Sequence, residues 1–262
     1  MPRFLALLLC VVGLPLAAAD YVVLVSKETK ADPGWAKVVD RLQTKYQAQV
    51  LTYQADVLEC QTALRQAQPR WVCWVARPVE LGTKSAYAIH QLARDNDSDP
   101  YEDFQWGIIT GRTAELALKL AAPAEPLTIR KVGASTAFAS DCVQSGYWFS
   151  EFKAGEVWVK DGTPLAVKGQ GAADSTESIV QRLNESLTDC FITSGHASET
   201  EWQPGYRYRN GIFTHRDGVL VGKSLDGKIH EVRSPNPKVY LAVGNCLIGN
   251  VPKKEDCMAL AW

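Results

Sequence analysis

The chain has 262 residues, 46% of them hydrophobic and 22% charged, which is enough to build its own buried core without a disulfide framework. Its 28 Lys and Arg against 29 Asp and Glu leave a formal charge of −1, and no basic run appears. That balance excludes the clustered cationic footprint of a nucleic-acid-binding protein.

Residues 1–19 read as an export signal. Met1-Pro2-Arg3 is a short basic start, Phe4 to Leu16 an apolar core, and Ala17-Ala18-Ala19 a small-residue cleavage site before Asp20. The apolar run is too short for a comfortable membrane span, and no later stretch approaches one. The expectation is a secreted or periplasmic protein without a membrane span once the signal is removed. Removing it takes away Cys10 and leaves Cys60, Cys73, Cys142, Cys190, Cys246 and Cys257. An exported compartment permits disulfides, but buried free thiols are the default expected for most of these positions.

Residues 20–262 read as one α/β domain. Tyr21 to Ser26 (YVVLVS) is a continuous β-branched run, as in a buried parallel strand. Asp32-Pro33-Gly34 opens a helix from Trp35 to Tyr46, with Trp35, Val38, Val39 and Leu42 on one stripe. A strand over Gln49 to Tyr53 follows, then a helix around Asp56 to Gln66, a strand over Trp71 to Val75 and a helix over Thr83 to Asp95. A strand through Trp106 to Thr110 turns at Gly111 into a helix whose apolar side is expected around Leu116, Leu118 and Leu120. Residues 135–171, rich in Gly, Ser, Ala and aromatics, read as loops with short strands. Ser175 to Asn184 returns to helix. Between Tyr206 and Val232 the turn signals Arg216-Asp217-Gly218 and Asp226-Gly227 mark inserted β-hairpins. The alternation of strands and helices predicts a largely parallel sheet covered on both faces. The last residues, Glu255 to Trp262, read as the opening turns of an apolar helix. The expectation from that ending is a chain truncated at its C-terminal end.

Two further apolar runs carry the chemistry. Cys190-Phe191-Ile192-Thr193-Ser194-Gly195 leads into His196, and Val239-Tyr240-Leu241-Ala242-Val243-Gly244-Asn245 leads into Cys246. Ligands bind and catalysis assembles at the carboxyl ends of strands in open α/β sheets. A cysteine and a histidine delivered there are the minimum equipment for thiolate catalysis: Cys246 attacks a scissile carbonyl, and His196 handles the proton. The developing oxyanion needs fixed donors, for which the backbone N–H groups of Ala197 and Cys246 are the candidates. Gly195 and Gly244 leave room for a substrate backbone. Other signals are weaker. His215 and His230 fall in hairpins and His90 on a helix. A zinc site from Cys190, His196, His215 and Cys246 has no compact ligand pair to support it. No Gly-x-Ser-x-Gly elbow is present.

At these residues the sequence resembles the caspase-like clan of cysteine peptidases, and most of all its gingipain-type family. The resemblance rests on the blocks ending in His196 and Cys246, on Glu201 to Gly211 and on Ser234 to Lys238, which look like secreted bacterial members. It covers residues 186–262 and is only architectural before them. It implies a caspase/gingipain-like three-layer sandwich with inserted β-hairpins. The implied activity is an exported cysteine endopeptidase acting on a protein or peptide substrate through a Cys246–His196 dyad and a thioester, without a cofactor or metal. The residue after the histidine is commonly glycine in this clan and is Ala197 here. Several gingipain-type enzymes prefer basic residues through an acidic pocket wall, for which Asp141, Glu151 and Asp174 are the available acids. The rival expectations are a non-catalytic exported binding or surface-assembly domain of the same fold, and a peptidyl-transferase using the same dyad. The substrate-binding residues and oligomeric state are not legible.

Overall fold

The computed structural model describes residues 19–185, 188–252 and 256–262. The signal segment, Cys10, Ser186 and Glu255 therefore lie outside the described residues, apart from Ala19 of the signal. Among the described residues the fold is mixed α/β with three sheets. Backbone proximity divides the chain into two compact units, one running to Val75 and resuming over Ala88–Ile109, the other made of Ala76–Tyr87 and Thr110–Trp262.

The first unit is a four-stranded parallel sheet built from β1 (Tyr21–Ser26), β2 (Gln49–Tyr53), β3 (Trp71–Val75) and β4 (Gln105–Ile109), in the order β2-β1-β3-β4. Val22, Val23, Leu24 and Val25 are all completely buried, which is why this strand shows no polar alternation. Between β1 and β2 run α1 (Lys27–Ala31) and α2 (Pro33–Tyr46). The short α1 starts because the Ser26 hydroxyl accepts from Thr29 N at 2.9 Å. The Asp32 carboxylate then caps α2, accepting from Gly34 N at 2.8 Å and Trp35 N at 3.2 Å, with Pro33 in the first turn. Trp35, Val38, Val39 and Leu42 form the buried stripe of α2, as their spacing predicts. A 3-10 turn and α3 (Gln61–Ala67) precede β3, and α4 (Thr83–Arg94) follows it, beginning in one unit and ending in the other.

The second unit carries α5 (Ala114–Ala121), then a six-stranded mixed sheet and a five-stranded antiparallel sheet. The mixed sheet consists of β5 (Lys131–Ala134), β6 (Ser145–Phe149), β7 (Glu156–Asp161), β8 (Val167–Gln170), β9 (Cys190–Thr193) and β15 (Val239–Ala242). Its order is β15-β9-β5-β6-β7-β8; β15, β9, β5 and β6 pair in parallel, and the β6–β7 and β7–β8 pairings are antiparallel. The helix α6 (Thr176–Asn184) lies between β8 and β9 in the chain. The antiparallel sheet is β10 (His196–Ala197), β11 (Glu201–Gln203), β12 (Ile212–Arg216), β13 (Val219–Lys223) and β14 (Ile229–Glu231), in chain order. Its central hairpin turns at Asp217-Gly218, whose φ values of 50° and 74° are the left-handed pair that a two-residue hairpin requires. The last described element is α7 (Met258–Ala261).

Two sequence expectations change. The α5 helix buries Ala117 and Ala121, whereas Leu116 and Leu120 are 41% and 66% exposed. Their i, i+4 spacing puts the two alanines on one stripe, and that stripe is the buried one. The run leading to Cys246 is not a buried strand: β15 is the edge of its sheet, and Val239, Leu241 and Val243 are exposed.

The core of the second unit joins its two sheets. Tyr147, Phe149 and Phe191 of the mixed sheet meet Trp202, Phe213 and Leu220 of the antiparallel sheet, with Ile179, Val180 and Leu183 of α6 and Met258 of α7 beside them. Trp202 is completely buried at the centre, edge-on to Phe191 at 6.1 Å and against Phe213 at 4.7 Å. Asp174 fastens α6 to the hairpins. Its carboxylate accepts from Thr176 N at 3.0 Å, Thr176 Oγ1 at 2.6 Å, Gly211 N at 3.3 Å and Leu225 N at 2.7 Å. Partial desolvation pushes its pKa up, but these four donors together outweigh it and hold the carboxyl below its ordinary value.

Trp202→Ala is expected to cost about 3–5 kcal/mol of stability, read from urea unfolding, because it empties the centre of this core. Asp174→Asn keeps the shape but offers one acceptor to four donors, so a loss of roughly 1–3 kcal/mol is expected near neutral pH. Because the folded pKa of Asp174 is depressed, the stabilisation is present above the unfolded value of about 3.9 and is lost as pH falls through the folded value. The gap between Asp174→Asn and the parent should therefore shrink in acid; a gap that stays constant would refute the assignment.

Candidate functional site

The strands β15 and β9 are parallel neighbours in register, pairing Val239 with Cys190, Tyr240 with Phe191, Leu241 with Ile192 and Ala242 with Thr193. Both chains therefore leave the sheet at the same edge and in the same direction. The ladder ends where Val243 N donates to Thr193 O at 2.8 Å. Beyond it each chain turns, and His196 and Cys246 both lie exposed past the turn. His196 is not the last residue of β9, as the sequence suggests, but the first residue of β10. The histidine thus opens the antiparallel sheet rather than closing the parallel one.

The segment from Thr193 to His196 is tied at nearly every step. Ser194 N donates to Ser135 Oγ at 3.2 Å, and Ser194 O accepts from the buried Trp202 indole N–H at 3.0 Å. Ser194 Oγ donates to Glu151 Oε2 at 2.7 Å. Gly195 has φ +118°, and a Cβ there would stand 2.3 Å from Gln203 O, so this turn needs glycine on two counts. The His196 ring stacks on Tyr206 with centroids 5.5 Å apart. Tyr206 is in turn held by its N–H donating to Glu151 O at 2.6 Å, and it meets Phe152 edge-on at 6.5 Å. Phe152 and Tyr206 are both more than half exposed, so an aromatic shelf stands open beside the histidine.

On the cysteine side, the Asn245 amide accepts from Thr193 Oγ1 at 2.8 Å and donates to Gly195 O at 3.2 Å. The residue before the cysteine is thereby bonded to the residue before the histidine. Leu247, immediately after the cysteine, has φ +54° and is exposed. A non-glycine residue in that region marks local strain, and such positions gather at functional sites.

Ala197 sits opposite Trp202 on β10, the outermost strand of its sheet. Ser198 N donates to Glu201 O at 2.8 Å, which makes that pair a hydrogen-bonded one. Antiparallel pairs alternate, so Ala197–Trp202 is a non-hydrogen-bonded pair and the Ala197 N–H faces the open edge. The donor needed for an oxyanion at Ala197 is therefore turned away from β11.

The remaining sequence candidates separate. All six described cysteines are free. Burial pushes the Cys60 and Cys73 thiols up to about 11 and also raises Cys190 and Cys257, while Cys142 and Cys246 are exposed. His90 pairs with Glu102 at 2.9 Å, and His230 Nε2 shares a hydrogen bond with Ser224 Oγ at 2.9 Å. Of the three acids, Asp174 is occupied by donors from Thr176, Gly211 and Leu225 and Asp141 sits in an exposed 3-10 turn, while Glu151 lies against the histidine loop. Among the described residues, no group of three or more His, Cys, Asp or Glu is placed to hold a metal ion. Nor is any described helix long and apolar enough to cross a membrane. Sequence reasoning missed Asn245, Ser194 and Tyr206, whose partners lie tens of residues away; only their nearness to His196 and Cys246 in the chain marked them.

A scan against family models found no match, and searches of curated proteins and of solved structures found none either.

Brief alkylation of the folded protein with iodoacetamide is expected to modify Cys142 and Cys246 and to spare Cys60, Cys73, Cys190 and Cys257 until the chain is unfolded. Peptide-mapped mass spectrometry reads this directly. Native labelling of a buried thiol at the rate of Cys142 would contradict the burial described.

Proposed function

We propose that the chain is an exported cysteine endopeptidase with a caspase/gingipain-like arrangement of its second unit, hydrolysing peptide bonds through Cys246 and His196. The observation that carries this reading is the parallel, in-register pairing of β9 with β15, which brings both residues to one sheet edge and leaves both exposed.

In this mechanism His196 takes the proton of the Cys246 thiol, and the thiolate sulfur attacks the scissile carbonyl carbon. Negative charge moves onto the carbonyl oxygen, where the outward Ala197 N–H and the Cys246 N–H are the donors. Collapse breaks the C–N bond; the leaving amine takes its proton from the His196 imidazolium and a thioester remains on Cys246. Water, deprotonated by His196, then attacks the thioester, releasing the acid and restoring the thiol. The steps use no cofactor. If an amine instead of water resolves the thioester, the same dyad works as a peptidyl-transferase. Ala197 in place of glycine keeps the donor, and its methyl group packs against the core of the second unit. The N-terminal segment 1–19 supports a secreted or periplasmic location.

One observation favours the rival reading, a non-catalytic binding or assembly domain: the exposed row Val239, Leu241 and Val243 along the free edge strand. Such edges pair readily with other chains.

A diverse peptide library incubated with the mature protein under reducing conditions, and read by mass spectrometry, separates the readings. Cleavage in the parent that disappears in Cys246→Ala is the expected outcome, and products ligated to an added amine would identify transfer. Cleavage that survives in Cys246→Ala would overturn the assignment of the nucleophile. A folded parent that cleaves nothing and alkylates Cys246 no faster than Cys142 would favour the binding domain.

A further inference from the structure

The main-chain ladder joining β15 to β9 stops at Val243 and Thr193, short of both Cys246 and His196. One side chain continues the pairing beyond that point. We infer that Asn245 is a positioning residue that sets the Cys246 thiol against the His196 imidazole by clamping the Gly195 carbonyl; the inference rests on the peptidase reading and adds to it the part that aligns the dyad.

The orientation of the amide is forced by its partners. Gly195 O accepts only, so the group facing it at 3.2 Å is the Asn245 NH2. Asn245 Oδ1 then faces Thr193 Oγ1 at 2.8 Å and receives its hydroxyl proton. Thr193 has one proton to give, so its contact with the Tyr240 hydroxyl at 2.8 Å runs the other way, with Tyr240 donating. The result is a directed chain from Tyr240 on β15, to Thr193 on β9, to Asn245 beyond β15, to Gly195 beyond β9. Its base is packed into the protein: Thr193 is completely buried, and the Tyr240 ring is stacked on Trp262 with centroids 3.8 Å apart.

The far end of the chain acts where the backbone has least other support. Ser194 is already held by Ser135, Glu151 and Trp202. Gly195 is a glycine at φ +118°, a residue with wide conformational freedom. Holding its carbonyl fixes the peptide plane that continues into His196. Because the clamp comes from the residue next to Cys246, movement of one functional residue is transmitted to the other. A neutral amide suits the task. A carboxylate in its place would repel the Gly195 carbonyl and disfavour a thiolate one residue away.

The test measures Cys246 carbamidomethylation from about pH 5 to about pH 9, with the exposed Cys142 labelled in the same samples as the reference thiol, together with kcat and KM on a cleaved peptide. In the parent, Cys246 should inflect below Cys142, and His196→Ala should abolish the difference. Asn245→Ala and Asn245→Asp should move the inflection back toward that of Cys142 and lower kcat by roughly 10- to 100-fold, as a misplacement near 1 Å does, with KM little changed. Thr193→Val, which removes the anchor from the other end, should reproduce the effect, and Thr193→Ser should restore it. That pair keeps the proposal testable if Asn245→Ala does not fold. A His196-dependent inflection and parental kcat retained in both Asn245→Ala and Thr193→Val would overturn the role of Asn245 while leaving the peptidase reading intact. A parent Cys246 with no His196-dependent inflection and no Cys246-dependent cleavage would overturn the peptidase reading, and the clamp with it.

Discussion

Trp202 is the side chain on which the second unit depends. Among the described residues it is the largest fully buried side chain, and it lies where two sheets of different kind must be held together. On one side it meets Phe191 of the parallel strand β9; on the other it meets Phe213 of the antiparallel strand β12. An indole buried this deeply must also satisfy its N–H. It does so on Ser194 O, inside the loop that ends in His196. A single residue thus fuses the hydrophobic core and fastens the histidine loop to it.

The candidate site follows from that junction. A parallel ladder brings Thr193 and Ala242 side by side, and an antiparallel ladder begins only three residues later at His196. The turn between them has to change sheets within Ser194 and Gly195. Backbone pairing of either kind is interrupted there, so side chains take over: Ser135, Glu151, Trp202 and Asn245 supply the donors and acceptors that the strands no longer provide. An edge where main-chain groups are left over and fixed by side chains is well suited to preorganised donors such as the Ala197 N–H.

Burial sorts the thiols of the protein. Cys60, Cys73, Cys190 and Cys257 behave as small apolar residues whose desolvation disfavours the thiolate. Cys142 and Cys246 face solvent, but only Cys246 follows a strand next to the one that leads to a histidine. The strand that leads to Cys246, β15, is the edge of its sheet, and Val239, Leu241 and Val243 along and just past it are uncovered.

Local features were readable from the sequence because they are written in neighbouring residues. The β-branched run Tyr21–Ser26, the stripe Trp35, Val38, Val39 and Leu42, the Asp32-Pro33 start and the Asp217-Gly218 turn each carry their own stereochemical reason. So did the placing of His196 and Cys246 just past two apolar runs. Tertiary structure alone decided the rest. An apolar run of the length of Val239 to Val243 looks the same in the middle of a sheet and at its edge, since strand order is set by distant partners. The alanine face of α5 was hidden by more hydrophobic leucines, because the space available to a helix is determined by what it packs against. The links from Thr193 to Asn245 and from Ser194 to Glu151 span about 40 to 50 positions. Polar residues reveal such partners only after the sheets have brought them within hydrogen-bonding distance.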